Sequence, residues 1–378
     1  MKTCMVSSVH RALDNRVFFR EARTLARAGH EVTLIAVHGR NEMRDGVRII
    51  GLPQTPRWRR PAVWRLLMRL AIDTHADVFH FHDPELLLVM GLVRLRTGKP
   101  TIYDVHEAYP EFFAVKDYLP IWVRYPMSWA FRLLEPNLAR LHSALVFADH
   151  ATPAAFRGVD RPNVVLHNFP HDDLIEAGGA QLKTVAHRAP VVIYLGGLER
   201  NRGSRLLIDA FAEVHSKNPA ARLLHVGHFM PPDLEAEVLC DARRRGIGDA
   251  VEVIGHVPFD EIGRYLEKAA VGWVTWQPCS KNRKNVPTKL FEYMAYGIPV
   301  VSSDLESTRP FVKNGLTGHL VRADDDAAHA GAIINLLGNR PVAAAMGLRG
   351  RQLILTEYNW RSIEGRLLDL YDRLGRSI

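Results

Sequence analysis

Short apolar runs alternate with helical stretches along this chain, and about halfway the alternation begins again. The first set of predicted strands is Thr3 to Ser7, Glu31 to Val37, Val78 to Phe81, Thr101 to Val105 and Ala144 to Phe147. The second is Val191 to Leu195, Arg222 to Val226, Val251 to Ile254, Val271 to Thr275, Ile298 to Val301 and His319 to Val321. Strand followed by helix through short connections gives right-handed βαβ units, and so parallel sheets with helices on their faces. A chain of 378 residues exceeds what one core usually supports. The expected class is therefore α/β, with two Rossmann-like, doubly wound parallel-sheet domains. The first is placed at 1–168 and the second at 169–360. Asn168 to Asp173 and Gly178-Gly179-Ala180 read as linker, since they combine turn formers with no sustained period. Ile363, Leu367, Leu370, Tyr371 and Leu374 keep helical register, which predicts a C-terminal helix at 361–378 packing back on the first domain.

Composition narrows the class of function. A 47% hydrophobic and 24% charged chain is not disordered, and no apolar run approaches the roughly 20 residues that span a bilayer. Met1 to Val9 is too short and insufficiently apolar for a signal peptide, and Cys4, Cys240 and Cys279 are too scattered for a disulfide framework or a metal set. The expectation is a cytoplasmic protein. The net charge of +8 suits an anionic partner without choosing among nucleotide, nucleic acid and acidic lipid. Nucleic acid is not expected, because the basic residues are dispersed and no recognition module is present.

Pro287 and Thr288 signal a helix start, while Gly297 and Pro299 stop that helix ahead of an apolar run suited to an interior strand. Lys289 and Glu292 lie three apart, on one helix face. Upstream, Ser280 to Asn285 is a basic loop feeding a helix N-terminus, a place that favours an anion. Its bland alternative is a solvated cationic loop. Gly196-Gly197-Leu198-Glu199-Arg200-Asn201-Arg202-Gly203 follows another strand and precedes a helix from Ser204 to His215. Glycine there lets backbone approach a ligand and Arg200 and Arg202 add positive potential, although a tight turn alone explains a glycine pair equally well. Two basic anion sites at one sheet edge weigh toward a diphosphate.

In the first half, His80-Phe81-His82-Asp83-Pro84-Glu85 and Tyr103-Asp104-Val105-His106-Glu107 end their strands in polar groups. A histidine leaving a parallel strand can exchange a hydrogen bond with a substrate hydroxyl, whereas each ring alone is more often structural. No metal site is expected, with His80 and His82 taken to alternate across their strand. No Gly-x-Ser-x-Gly elbow marks a serine hydrolase. Ser7 to Arg16 links the first strand to a helix ended by Gly29, and Asp14 reads as that helix's N-cap before it reads as a substrate contact. Arg57 to Leu70 mixes arginines, tryptophans and aliphatics as an interfacial helix does, and Tyr118 to Tyr125 adds a second such stretch; both alternatively read as core helices with snorkelling arginines.

Together these residues resemble the retaining, nucleotide-sugar-dependent glycosyltransferases of family 4. The resemblance rests on His30-Glu31-Val32, His82-Asp83-Pro84-Glu85-Leu86, Tyr103-Asp104-Val105-His106-Glu107, Tyr194-Leu195-Gly196-Gly197 with Arg202-Gly203, and Pro287-Thr288-Lys289 through Pro299-Val300-Val301. It implies the GT-B fold, two such domains facing each other across a cleft, with the acceptor against the N-terminal domain and an NDP-sugar, UDP- or GDP-linked, held by the C-terminal one. No cofactor and no metal is implied. Carried over, Glu292 holds the ribose hydroxyls; Lys289 and Arg202 neutralise the diphosphate leaving group; Gly196, Gly197, Gly203, Thr288 and Leu290 belong to the donor site; His256 stands near the base. His106 faces the donor sugar and counts with Arg202 and Lys289 as catalytic. His10, Asp14, Arg16, His82, Asp83 and Glu107 are the acceptor-side candidates.

The chain departs from the family pattern in three places. Lys284 stands where a glutamate is common eight residues before the position of Glu292. Gly197 replaces an arginine and Arg202 a lysine, and Ser7-Ser8-Val9-His10 replaces a glycine pair. Either other groups such as Arg283, Lys284 or Asn285 serve instead, or catalysis is weakened. The expected function is transfer of a sugar to an acceptor hydroxyl with retention, the alternatives being a nucleotide-sugar-binding partner subunit or an NDP-sugar epimerase. The acceptor is expected to be a sugar, a lipid-linked molecule or a small molecule. Arg57 to Leu70 points to peripheral contact with the inner membrane face.

Overall fold

The computed structural model describes residues 1–116, 119–180 and 182–376. Tyr118 of the second aromatic stretch and residues 377–378 of the C-terminal helix lie outside these. The chain divides into two compact units, Met1–Asn168 with Trp360–Ile378, and Phe169–Asn359.

Unit 1 holds strands β1 (Lys2–Arg11), β2 (Glu31–Val37), β3 (Glu42–Arg44), β4 (Val47–Leu52), β5 (Val78–Phe81), β6 (Thr101–Val105), β7 (Ala144–Phe147) and β8 (Asn163–Val165). Their order is β3-β4-β2-β1-β5-β6-β7-β8, with β3 antiparallel to β4 and the other pairs parallel. Helices α1 (Arg23–Arg27), α2 (Arg60–Asp73), α3 (Leu87–Thr97), α4 (Tyr109–Ala114) and α5 (Ile121–Ala139) connect them. β3, β4 and β8 were not foreseen: β3 and β8 have three residues each, and β4 is interrupted by Arg48 and Gly51. The central strands are buried on both faces, which explains their mainly apolar character, with His80, Thr101 and Asp104 as buried polar exceptions.

Unit 2 holds β9 (Val191–Leu195), β10 (Arg222–Val226), β11 (Val251–Val253), β12 (Val271–Val274), β13 (Val300–Ser303) and β14 (Gly318–Val321), all parallel in the order β11-β10-β9-β12-β13-β14. Its helices are α6 (Asp172–Ala180), α7 (Ser204–Lys217), α8 (Leu234–Arg244), α9 (Gly263–Leu266), α10 (Lys289–Ala295), α11 (Asp326–Gly338) and α12 (Arg340–Thr356), while α13 (Arg361–Gly375) belongs to unit 1. The amphipathic period of α13 is used fully: Ile363, Leu367, Leu370, Tyr371 and Leu374 are all buried.

Two expectations are corrected. The strand placed at Ile298 to Val301 begins at Val300, because Ile298 still donates its N–H to the Tyr293 carbonyl of the helix end. The glycines taken as linker lie in α6. A Cβ at Gly178 would overlap the Ala295 carbonyl, and one at Gly179 would stand 2.7 Å from the Arg351 guanidinium, so here glycine permits close packing rather than a turn.

Candidate functional site

In unit 2 the strand order reverses at β9, whose neighbours are β10 on one side and β12 on the other. Connections leaving β9 and β12 therefore diverge and open a crevice at the carboxyl edge, where doubly wound sheets bind ligands. Gly196 follows β9 with φ +96°, and a Cβ there would stand 3.8 Å from both Cε and Nζ of Lys289. Gly203 begins the turn into α7 with φ +81°, and a Cβ there would overlap the Thr275 carbonyl at the end of β12. Any side chain at either position would strain the backbone.

Lys289 opens α10 and is 5% exposed. Its Nζ has no hydrogen-bond partner and lies 3.5 Å from the centroid of the Tyr194 ring. Burial, and then Arg202, hold its pKa well below that of an ordinary lysine, with Glu292 acting in the opposite direction. An anion entering beside Nζ would restore the ammonium, so the site is electrostatically built to receive negative charge. Tyr293 fixes α10 in place: its hydroxyl accepts from the Leu195 N–H at 2.8 Å and lies 3.2 Å from the Ile193 carbonyl.

Arg202 donates Nη1 to the Gly197 carbonyl at 2.9 Å, and its Nη2 stands 3.6 Å from Glu199. A Cβ at Gly197 would meet the His228 ring at 3.2 Å and Arg202 Nη1 at 3.5 Å. The space that an arginine at 197 would need is thus filled by His228 and by the cation of Arg202, which accounts for that departure. His225 on β10 places Nε2 3.2 Å from the Gly196 carbonyl, and burial lowers its pKa to about 4. Glu292 is buried on α10, Thr288 half-buried and His256 exposed. Leu290 has its side chain in the core and its N–H bonded to the Pro287 carbonyl, so it supports α10 from below.

The basic loop before α10 is a brace more than a free cationic surface. Lys281 is buried, Arg283 pairs with Glu306 at 2.8 Å, and Asn282 donates to the Asn201 carbonyl of the glycine loop at 2.7 Å.

Unit 1 has its own reversal at β1, between β2 and β5. The pairing of β1 with β2 is irregular between Val6 and Arg11, and the freed N–H groups of Ser8 and Val9 turn to Asp83 Oδ2 at 2.6 and 3.2 Å. Ser7 Oγ adds a donor at 2.8 Å. The serines in place of the glycine pair therefore clamp Asp83. His10 stands beside this clamp, with Nδ1 3.4 Å from Asp14 and Nε2 3.7 Å from Asp83. Burial opposes its charge, but Asp14, Asp83 and Asp104 outweigh burial and raise its pKa to about 9. Asp14 also accepts the N–H groups of Arg16 and Val17 at 2.8 and 3.0 Å, where the helical segment starts.

His106 lies against His10 with ring centroids 4.6 Å apart, and its Nε2 is 3.3 Å from Asp104 and 3.2 Å from His82 Nδ1. Burial pushes its pKa down to about 4 against the pull of Asp104. Arg16 grips Asp104 through Nε and Nη2 at 2.8 and 2.9 Å and stands 3.0 Å from Glu21. Among the acceptor-side candidates, Arg16, His82 and Asp83 are buried and hold neighbours in place, while the side chains of His10 and Asp14 are 26% and 28% exposed. Glu107 is partly exposed.

Contrary to the expected alternation, His80 and His82 do not face opposite sides of their strand. Two residues apart on β5, they share a face by the strand's own period, and their rings stack at 4.8 Å. With Glu21 and Asp104 they bring one donor atom each within 4.8 Å of one another, a donor set of metal-binding type that alternation across the strand would have kept apart. The Arg16 Nε already stands 3.0 Å from Glu21 and 2.8 Å from Asp104, so the chain itself supplies positive charge to both acidic members of that set.

Asp104, near the end of β6, stands two residues before His106 and reaches its ring at 3.3 Å, a pairing that the sequence spacing makes readable. Glu21, His225 and His228 lie in no motif, and only packing reveals them. Burial of neutral histidine also sets a pH dependence. His142, His225 and His329 are at most 1% exposed and held near pKa 4 by burial. The unfolded chain, near 6.5, binds more protons, so this contribution to stability is complete above about pH 6.5 and is lost as pH falls toward 4. Each site should cost about 2 kcal/mol between pH 7 and 5, and calorimetry should show Tm lower by more than about 5 °C at pH 5.

The sheets, their two reversals and the paired glycine and lysine elements define a GT-B glycosyltransferase. Residues 15–169 match Glycosyltransferase Family 4 and residues 189–339 match Glycosyl transferases group 1, and the chain belongs to this family. Its relatives include a phosphatidyl-myo-inositol mannosyltransferase of Mycobacterium leprae, 25% identical over 84% of this chain and 79% of that protein. Another is the GDP-mannose-dependent alpha-(1-6)-phosphatidylinositol monomannoside mannosyltransferase of Mycolicibacterium smegmatis, 24% identical over 90% of each. Among solved structures, sucrose-phosphate synthase from Thermosynechococcus elongatus superposes with a TM-score of 0.77 at 20% identity over 100% of both chains. Anabaena HepE in complex with UDP-glucose gives 0.75 at 15% identity over 99% of this chain and 100% of that one.

Proposed function

We propose that this glycosyltransferase moves a sugar from a nucleoside-diphosphate donor to an acceptor hydroxyl with retention at the anomeric carbon and without a metal ion. The observation that carries this reading is the buried, unpartnered Nζ of Lys289 under Gly196. Lys289 and Arg202 neutralise the departing diphosphate, giving it fixed positive charge where negative charge grows in the transition state. Gly196, Gly197 and Gly203 keep side chains out of the phosphate space. Glu292 accepts the two ribose hydroxyls, and Thr288 and His256 complete the donor contacts. In unit 1, His106 faces the donor sugar and positions donor and acceptor, while His10, Asp14 and Glu107 serve the acceptor; a neutral His106 held by Asp104 and His82 can accept or donate one hydrogen bond at a sugar hydroxyl.

The test is NDP release from a panel of GDP- and UDP-sugars, starting with GDP-mannose because relatives bear mannosyltransferase names. Release should depend on an acceptor, persist in EDTA, and fall about tenfold to a hundredfold in Arg202→Ala. Loss of activity with chelator would overturn metal independence, and an inverted product by NMR would overturn retention. Donor conversion with no acceptor present would replace transfer by epimerisation.

A further inference from the structure

One face of the unit 1 sheet is covered by three helices side by side, α2 packing on α3 and α3 on α5. Their inner sides close the core with Leu67, Ala71, Met90, Val93 and Ala139. Their outer sides are the reverse of what water selects. Of the 18 large hydrophobic side chains exposed among the described residues, ten stand on these three helices. On α3, Leu88, Leu92 and Leu95 are 60%, 47% and 83% exposed and form one stripe. On α5 the stripe is Trp122, Tyr125, Trp129 and Leu133, between 46% and 78% exposed. Leu66 on α2 is 42% exposed, and Trp58, in the turn just before α2, is 73% exposed. α5 is moreover turned inside out, for its buried residues include Ser128 and Glu135, the latter accepting the Tyr103 hydroxyl at 2.7 Å. An apolar face of this breadth on a folded unit marks an interaction surface.

Charge decides what covers it. These three helices carry seven arginines and two acidic residues, of which Glu135 is buried. Unit 1 has 27 Lys and Arg against 19 Asp and Glu, an excess of eight, and unit 2 has 22 against 22. The whole net charge of +8 therefore resides in the unit that bears the apolar face. Pairing this face with a second copy would set arginines against arginines, which disfavours self-association. Among the described residues no helix is long and apolar enough to cross a membrane, so a bilayer would be met at its surface.

We propose that the outer face of α2, α3 and α5 docks unit 1 on an anionic lipid surface. The aromatic rings and leucines enter the headgroup boundary while Arg65, Arg69, Arg96 and Arg132 reach lipid phosphates. The docking face is wider than the Arg57 to Leu70 segment, with α5 as its most apolar part. This proposal does not depend on the transfer reading, since its readout needs no donor or acceptor.

The experiment is sedimentation of the full chain with phosphatidylcholine vesicles with and without phosphatidylglycerol. Binding should require the anionic lipid, weaken about tenfold from low to high salt, and weaken about tenfold in Trp122→Ser/Trp129→Ser with Tm unchanged. Brominated acyl chains should quench the tryptophan fluorescence of the unaltered protein and not that of the double variant to the same extent. No binding to anionic vesicles at low salt would overturn the proposal. So would equal binding by the double variant, or a dimer in solution that the double substitution dissociates without any vesicle binding.

Discussion

Lys289→Met is expected to lower kcat by about a hundredfold to a thousandfold while leaving the fold as stable as before or more so. The two effects have one cause. A lysine whose Nζ is buried, lacks a hydrogen-bond partner and is kept from charging by burial and by Arg202 destabilises the empty enzyme, and methionine of similar length removes that cost. When diphosphate is bound the same group meets the charge it was placed for, and the loss appears in the transition state. Steady-state NDP release and thermal denaturation of the one variant check both halves. Full turnover would remove Lys289 from the leaving-group role; a lower Tm with unchanged turnover would make it a packing residue over Tyr194.

Asp104→Ala is expected to destabilise unit 1 by roughly 3–5 kcal/mol, because it leaves the Arg16 guanidinium buried without its bidentate partner. His106 and His82 lose the carboxylate they share in the same step. Activity should therefore fall even where the variant remains folded. Arg16→Met with Asp104→Leu separates the effects, since it removes both buried charges: the double variant should recover most of the stability and none of the activity. Stability measured by denaturant titration, as a double-mutant cycle, checks the coupling. A loss below about 1 kcal/mol for Asp104→Ala would show that Glu21 alone satisfies Arg16.

The parallel-sheet architecture was legible because central strands of doubly wound sheets are buried on both faces and so mostly apolar, as β5 to β7 and β9 to β10 are apart from a few polar residues such as His80, Asp104 and His225. Short edge strands escaped notice: β3 and β8 carry too few residues for a period to show. Glycines were readable as glycines but not by purpose. Gly203 serves a positive φ, whereas Gly178 and Gly179 sit in a helix pressed against Ala295 and Arg351. Lys289 and Glu292 announced themselves by spacing; that Lys289 lies unpartnered on Tyr194 did not.

What the order of residues determined by itself is the alternation of strand and helix, the glycine loops, and the cations that follow them, since these are properties of local period and chemical type. Tertiary structure decided which charges are available. Arg283 and Arg16 look as free as Lys289 on the page, yet one is paired with Glu306 and the other is sealed between Asp104 and Glu21. It decided also that α5 shows water its tryptophans and the core its glutamate. Burial and pairing depend on residues distant in the chain, and no local pattern encodes the distance between them.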